Sequence, residues 1–258
     1  MSDKREQMLK FWSDRANLYG FDPRANTNDV WLRSLEIDAV NNLIKAKNVK
    51  NALDFGCANG YSTNWLAKNN PGCKFLGVDI NFDMIQVAND QVQKDKLTNL
   101  TFQQIDILTQ NLQSKYDFIF AIRVFQNIEN PEKQLRIFDK LLSHLDKGGF
   151  FFFIESYSDG YTQLNSDRSK IGLPPLPIHP HLTLLTEEFD AYVSEKMDLL
   201  EQSSPSSSYY LITRLLYSYL AQIKNEPIDY NHEIHWIATL VPQIGNYGPQ
   251  KAMLLRKK

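Results

Sequence analysis

The ten residues from Asn51 to Gly60, Asn-Ala-Leu-Asp-Phe-Gly-Cys-Ala-Asn-Gly, constrain this chain more than any other stretch. Ala52, Leu53 and Phe55 suit a buried strand. Gly56 and Gly60 bracket a bend that lets the backbone approach a ligand before a helix begins near Ser62. A strand, a glycine loop and a helix in that order make a seat for a cofactor, with Cys57, Ala58 and Asn59 inside the loop.

From Asn51 onward, strand and helix patterns alternate as they do around a parallel sheet. The sequence predicts strands at 51–55, 74–79, 100–106, 116–123 and 149–156. Helices are predicted at 62–69, 83–94 and 131–145, the last with Pro131 at its start and Gly148 beyond its end. A short strand at 197–202 and a closing one at 251–256 complete the pattern. The fold class expected is α/β: a Rossmann-like, doubly wound, mostly parallel seven-stranded sheet with an N-terminal helical cover and a lid insertion in the C-terminal half. One domain of 1–258 is expected, made of the cover (1–49), a cofactor-binding core (50–156), a substrate lid with helices (157–250) and the last strand (251–258).

In the cover, Val30, Leu32, Leu35, Ile37, Val40 and Leu43 mark an amphipathic helix with Thr27 or Asn28 as its N-cap. The cover either packs on the sheet without chemistry or closes over the cofactor, with Tyr19, Arg24 and Arg33 facing it and an arginine pairing a carboxylate. In the lid, the stretch 156–183 carries Gly160, Gly172, Pro174, Pro175, Pro177 and Pro180, which is loop chemistry too long for a simple connection. A helix follows at 186–196, and 209–223 is apolar enough for a helix with one broad buried face.

Composition limits the partners. A 258-residue chain with 43% hydrophobic and 22% charged residues builds a substantial core, and its net charge of −2 lacks the basic footprint that phosphate backbones require. Nucleic acid is therefore set aside. Two cysteines, Cys57 and Cys73, form neither a disulfide framework nor a cysteine metal cluster, which fits a reducing cytoplasm. The run Met1–Lys10 lacks the apolar core of a secretion signal and no segment is apolar enough to span a bilayer, so a soluble, cytoplasmic chain without a membrane partner is expected. The oligomeric state is left open.

In a doubly wound sheet, ligands sit beyond the carboxyl ends of the strands. Asp54, just before the glycine turn, is placed to accept a hydrogen bond from a cofactor amine. Asp79 ends the next strand at the spacing at which acidic residues bond ribose hydroxyls. Asp106 ends the third, placed to accept from an adenine amino group, with Ile107 and Met84 as apolar neighbours of the ring. A single aspartate at a strand end is commonly a cap. Three in register with a glycine loop point to a nucleoside-containing cofactor.

With these residues in hand, the chain resembles the class I S-adenosylmethionine-dependent methyltransferases. The resemblance rests on Leu-Asp-Phe-Gly-Cys-Ala-Asn-Gly (53–60), Gly-Val-Asp-Ile (77–80, ending in Ile80), Ile-Asp-Ile (105–107), Tyr-Asp-Phe-Ile-Phe-Ala (116–121) and Leu-Asp-Lys-Gly-Gly (145–149), and covers roughly 49–155. Ala58 stands where the family's motif usually has glycine. The resemblance implies S-adenosylmethionine with its methionine end over 56–60, its ribose at Asp79, its adenine near Asp106, and the Ala121 carbonyl touching its amine. Three outer segments, 19–29 with 32–36, 172–177 and 245–251, are similar to bacterial methyltransferases associated with polysaccharide and other surface-sugar pathways. That similarity implies O-methylation of a sugar or related small polar metabolite. N- or carboxyl-methylation and a non-catalytic cofactor-binding subunit are the alternatives.

A hydroxyl acceptor needs a base. His181, on the predicted lid, is the first choice because the ordinary imidazole pKa suits proton transfer near neutrality; His179 and Glu155, the latter ending the fifth strand, are the others. Arg123 is a candidate to bind an anionic group on the acceptor, against a simple salt bridge. Tyr209, Tyr210 and Asn231 are candidates to line an acceptor pocket, against a core role for the tyrosines. His232 and His235, three apart, share a helix face but are too few for a metal site, so no metal is expected.

Overall fold

The computed structural model describes residues 3–258. Among them, seven strands form one sheet in the order β3-β2-β1-β4-β5-β7-β6. The strands are β1 (Asn51–Phe55), β2 (Lys74–Asp79), β3 (Leu100–Gln104), β4 (Tyr116–Ile122), β5 (Leu145–Ser156), β6 (Met197–Ser203) and β7 (Gln250–Lys257). β1 to β5 pair in parallel, while β7 runs antiparallel between β5 and β6. Strand order reverses at β1 and β4, so the crevice lies beyond their carboxyl ends.

Central strands buried on both faces need apolar residues at every position, and β1 and β4 supply them. Ala52, Phe118, Phe120 and Phe152 face a layer containing Val40, Ile44 and Leu66 from α2 (Val30–Ala46) and α3 (Tyr61–Asn69). Leu53, Ile119, Phe151 and Phe153 face the other layer, with Ile137, Phe138 and Leu141 of α5 (Pro131–Ser143). Helix α1 (Asp3–Tyr19) lies against α4 (Phe82–Asp95). Two strands and one helix are shorter than the sequence predicts, and β5 is longer. β3 stops at Gln104 and β4 at Ile122, and α5 stops at Ser143 because Leu145 already pairs with Tyr116 in an extended β5.

Two further expectations are corrected. The α2 cap is Asp29, whose carboxylate accepts from Leu32 N at 3.1 Å, rather than Thr27 or Asn28; Thr27 instead accepts from Asp29 N. The stretch 156–183 is not one long loop, because α6 occupies Ser158–Lys170 before the proline-rich segment. Prolines cluster after its end, which drew the loop reading too far toward the N-terminus. Helix α7 (Glu187–Lys196) follows as expected.

The long helix expected at 209–223 does form, as α8 (Ser207–Tyr210), a π-helical stretch (Leu211–Tyr217) and α9 (Ser218–Lys224), with α10 (Glu233–Leu240) beside it. Its buried face mixes apolar and polar groups: Tyr209, Tyr210, Tyr217 and Ala221 are buried with Thr213, Arg214 and Ser218, Leu215 is partly buried against the core, and Leu211, Leu216 and Leu220 are exposed.

Candidate active site

The loop after β1 is stitched to β2. Gly56 N and Cys57 N both donate to Val78 O, at 2.8 and 3.0 Å. Gly56 and Gly60 take φ of +76° and +74°, and a Cβ at Gly56 would sit 2.5 Å from Val124, so neither position admits a side chain. Ala58 also takes a left-handed φ, +48°, where a glycine would be at ease. Its methyl group packs against the small buried cluster of Ala16, Ala25 and Met84, a contact a glycine would forgo. Asn59 is fully buried, with its amide donating to Gly20 O and Asp22 O, so it ties the loop to the N-terminal cover.

Asp79 holds the loop and faces the cavity at once. Its Oδ2 accepts from Ala58 N at 2.9 Å and its Oδ1 from Asn81 N at 2.8 Å. Burial raises its pKa against those donors. Asp106 accepts from Leu108 N through Oδ1 and from Arg5 through Oδ2, the latter at 2.6 Å. Between these carboxylates lies a cavity of about 300 Å³, lined there by Gly56, Ala58, Ile80, Met84 and Ile107.

Helix α1 and the segment 179–183 close this cavity. Arg5, Met8, Phe11 and Trp12 line it from above, and Lys4 Nζ donates to Thr183 Oγ1 at 2.7 Å. The Phe11 ring lies 4.9 and 4.8 Å from those of His179 and His181, which also line the cavity. Burial, then the His179 and Lys4 charges, push the His181 pKa down to about 4. Its imidazole is neutral near pH 7 and a much weaker base than an ordinary histidine. The unfolded chain takes up this proton near pH 6.5, the folded one only near 4, so stability is lost as pH falls through that window. Thermal melts should show a larger fall between pH 7 and pH 5 for the native protein than for His181→Phe; equal falls would refute the assignment.

At the third wall, Arg33 and Arg123 converge on one carboxylate. Glu36 is fully buried, with Arg33 Nε at 3.3 Å, Arg123 Nε at 3.0 Å and Gln250 donating at 2.5 Å. The Nε of each arginine lies near Glu36 without a well-directed hydrogen bond among the described residues. Both line the cavity. Arg33 is buried enough that its pKa falls to about 10, still a cation at neutral pH. Arg123 takes φ of +57°, a strained backbone that turns the chain away from β4.

That turn decides Glu155, which does not face the crevice. Its Oε1 accepts from Val124 N at 2.6 Å and Phe125 N at 2.9 Å, and its Oε2 from Gln126 N at 3.1 Å. It is fully buried, and burial pushes its pKa up to about 8 against those three donors. Glu155 positions the turn; it is not placed to take a proton from an acceptor.

Other predicted site residues lie outside the cavity lining. Asp54 is buried behind the loop, accepting from Thr63 Oγ1 at 2.5 Å, with its pKa raised to about 7 by burial. Cys57 is buried beside Gly77, Gly60 rests on Phe102, and Ala121 lies within the β4 core. Arg24 pairs with Asp22 at 2.7 Å at the surface, and Tyr19 stacks beneath Arg15 and Arg24. Tyr209, Tyr210 and Asn231 are likewise not in the cavity. Tyr209 donates to Asp29 at 2.5 Å and meets His235 Nδ1 at 2.9 Å, Tyr210 packs on Gly248, and Asn231 is exposed beside Asp229. A buried capping carboxylate attracts donors, and Asp29 draws in Tyr209 and Arg214. His232 caps α10 while His235 turns inward; no group of three or more His, Cys, Asp or Glu among the described residues is placed to hold a metal.

Arg5 and Met8 escaped the sequence reading. Their only signal is helical spacing, since residues 4, 5, 8, 11 and 12 fall on one face of α1. Gln126 and Asn127, also at the cavity, carry no signal at all.

Residues 46–213 match a family model described as a methyltransferase domain. The chain is 28% identical over 173 residues to malonyl-[acyl-carrier protein] O-methyltransferase 2 of Ilyobacter polytropus, covering 66% of this chain and 64% of that one. It is 29% identical over 106 residues to trans-aconitate 2-methyltransferase of Agrobacterium fabrum, covering 41% and 38%. The alignments thus span less than two thirds of either relative. Among solved structures, magnesium protoporphyrin IX methyltransferase from Synechocystis superposes with a TM-score of 0.62 at 14% identity, over 100% of this chain and 99% of that one, a likeness of fold.

Proposed function

The chain belongs to the methyltransferase-domain family, and from that premise we propose that it transfers a methyl group from S-adenosylmethionine to a carboxylate oxygen of a small polar acceptor. The observation that carries this reading is the pair of arginines, Arg33 buried and Arg123 half-buried, sharing the single carboxylate of Glu36 at the cavity wall. Two guanidinium groups on one carboxylate leave a cation to be matched by an anionic ligand.

The residues around the cavity suit the cofactor. Asp79 presents a carboxylate for ribose hydroxyls, Asp106 lies at the adenine end beside Ile107 and Met84, and the side-chain-free Gly56 admits a close approach. The cofactor's own carboxylate is offset by its ammonium group, so the one positive charge left over at Glu36 serves the acceptor, through Arg123. S-adenosylmethionine, when bound, supplies a methyl group already activated by its sulfonium. The protein's part is to orient the acceptor in line and keep the site dry, which the Phe11, Trp12 and His181 roof does.

A carboxylate acceptor arrives ionised and needs no base. A sugar hydroxyl, the acceptor implied by the outer segments, would need one, and His181 is held near pKa 4. Malonyl and trans-aconitate groups, which name the acceptors of two relatives, both carry carboxylates. Transfer of labelled methyl should therefore appear with small mono- and dicarboxylates rather than neutral sugars. Arg123→Gln should raise KM for the carboxylate by on the order of 100-fold with a smaller change in kcat. Transfer to neutral hydroxyl compounds alone, or an unchanged KM in the variant, would overturn the carboxylate reading.

A further inference from the structure

The outer segment 245–251 brings a buried amide to the acceptor wall. Gln250, the first residue of β7, is 1% exposed, and its Nε2 donates to Glu36 Oε1 at 2.5 Å from 214 positions away in the chain. Its own Oε1 accepts from Ser206 Oγ at 2.7 Å, and its backbone carbonyl from Ser204 Oγ at 3.0 Å. These partners orient the amide, because a carboxylate only accepts and so draws the NH2 group. Ser206 is fully buried and stands at the N-cap of α8, where a serine hydroxyl ordinarily satisfies a helix N–H. Here it makes no capping bond and is turned to Gln250 instead.

Glu36 meets three side chains at this wall. Arg123 has Nε at 3.0 Å from Oε1 and donates from Nη2 to Oε2 at 3.2 Å, while Arg33 Nε lies 3.3 Å from Oε2. The shortest contact is the uncharged one from Gln250. Asp54 and Glu155 also act on Arg33, but their carboxyl groups are engaged by Thr63 and by the 124–126 amides. Two guanidinium groups against the Glu36 carboxylate leave one positive charge. A lysine in place of Gln250 would leave two, and a glutamate none. The amide adds a donor and no charge.

We propose that Gln250 is a positioning residue of the acceptor site: held by Ser206, it anchors Glu36 between Arg33 and Arg123 while leaving one positive charge for an acceptor carboxylate, and so sets the preference for anionic acceptors. This role rests on the carboxylate reading of the same site.

The test is acceptor kinetics with malonate or another carboxylate that takes up labelled methyl. At about pH 8.5, above the ordinary range of carboxyl groups, Gln250→Glu should raise KM roughly 30-fold or more over the native protein, with a smaller change in kcat. Gln250→Met, which loses both hydrogen bonds and adds no charge, should raise it by less than about 10-fold. A merely structural amide predicts the reverse order, since glutamate keeps the shape and methionine does not. Glu36→Gln combined with Gln250→Glu exchanges carboxylate and amide, restores the surplus charge and should bring KM back to within about 10-fold of native. That pair of changes keeps the role testable if Gln250→Glu alone misfolds, which urea midpoints reveal. Calorimetry with S-adenosylhomocysteine should give the native affinity in all three variants. Native KM in Gln250→Glu, equal effects of Glu and Met, no recovery in the exchange variant, or cofactor affinity falling as far as KM rises would each overturn the role of Gln250 while native carboxylate methylation stands. No transfer from the native protein to any carboxylate would overturn the carboxylate reading itself, and this role with it.

Discussion

Asp79→Ala should weaken S-adenosylmethionine binding by on the order of 100-fold or more, about 2.7 kcal/mol, because one carboxylate serves both loop and ligand. Removing it strands the Ala58 and Asn81 amides, which Asp79 now accepts at 2.9 and 2.8 Å, and takes the cavity's acceptor for ribose hydroxyls away. Asp79→Asn sharpens the test. An amide keeps one acceptor oxygen but turns an N–H toward a second backbone N–H, so it should also bind weakly even though its shape is unchanged. Calorimetric titration measures both. A variant that binds the cofactor as tightly as the native protein would remove Asp79 from the site, and no binding to the native protein would end the S-adenosylmethionine reading altogether.

The largest loss of stability is expected from Glu155→Ala, on the order of 3 kcal/mol or more. The side chain is fully buried and satisfies three successive amides just beyond β4, those of Phe125 and Gln126 in buried hydrogen bonds. Val124, the first of these residues, lies against Gly56, so the cofactor loop should loosen as well. Glu155→Gln should cost less, since one oxygen still accepts and the amide fits the same space. Urea unfolding midpoints order the three proteins; an unchanged midpoint for Glu155→Ala would show that the turn does not depend on this residue. The same measurement separates a positioning role from a catalytic one, because a surface base could be removed without moving the midpoint.

Glu155 also illustrates what a linear sequence conveals about side-chain direction. A carboxylate at a strand end was read as facing the crevice, since strand ends do so in this fold. The reversal comes from Arg123, whose left-handed φ of +57° folds the next three amides over β5. Nothing in local composition signals a left-handed arginine, a conformation that only surrounding contacts can enforce. His181 shows the same division. Its place beside the cavity agreed with a lid reading, but its pKa is lowered first by burial, then by the charges of His179 and of Lys4, the last 177 positions away in the chain.

In the C-terminal helices, apolar content over 209–223 predicts a helix with one broad buried face, and tertiary partners choose which residues form it. Asp29, buried as the cap of α2, holds Arg214 and Tyr209 inward, while Leu211, Leu216 and Leu220 are left exposed.

Sequence alone determined the alternation of strands and helices, the glycine loop and the cavity carboxylates Asp79, ending β2, and Asp106, two residues beyond β3. Each of these is a local matter: periodicity, turn chemistry and spacing are written over a few consecutive residues. Tertiary structure alone decided that Arg5 reaches Asp106, that Arg33 and Arg123 meet on Glu36, and that Glu155 turns away. Apart from Arg33 and Glu36, one helical turn from each other, those outcomes depend on residues 29 to 101 positions apart competing for the same charges and amides. Burial makes every unmatched group costly, so the pairing that leaves fewest unsatisfied prevails, and that choice exists only once the chain has folded.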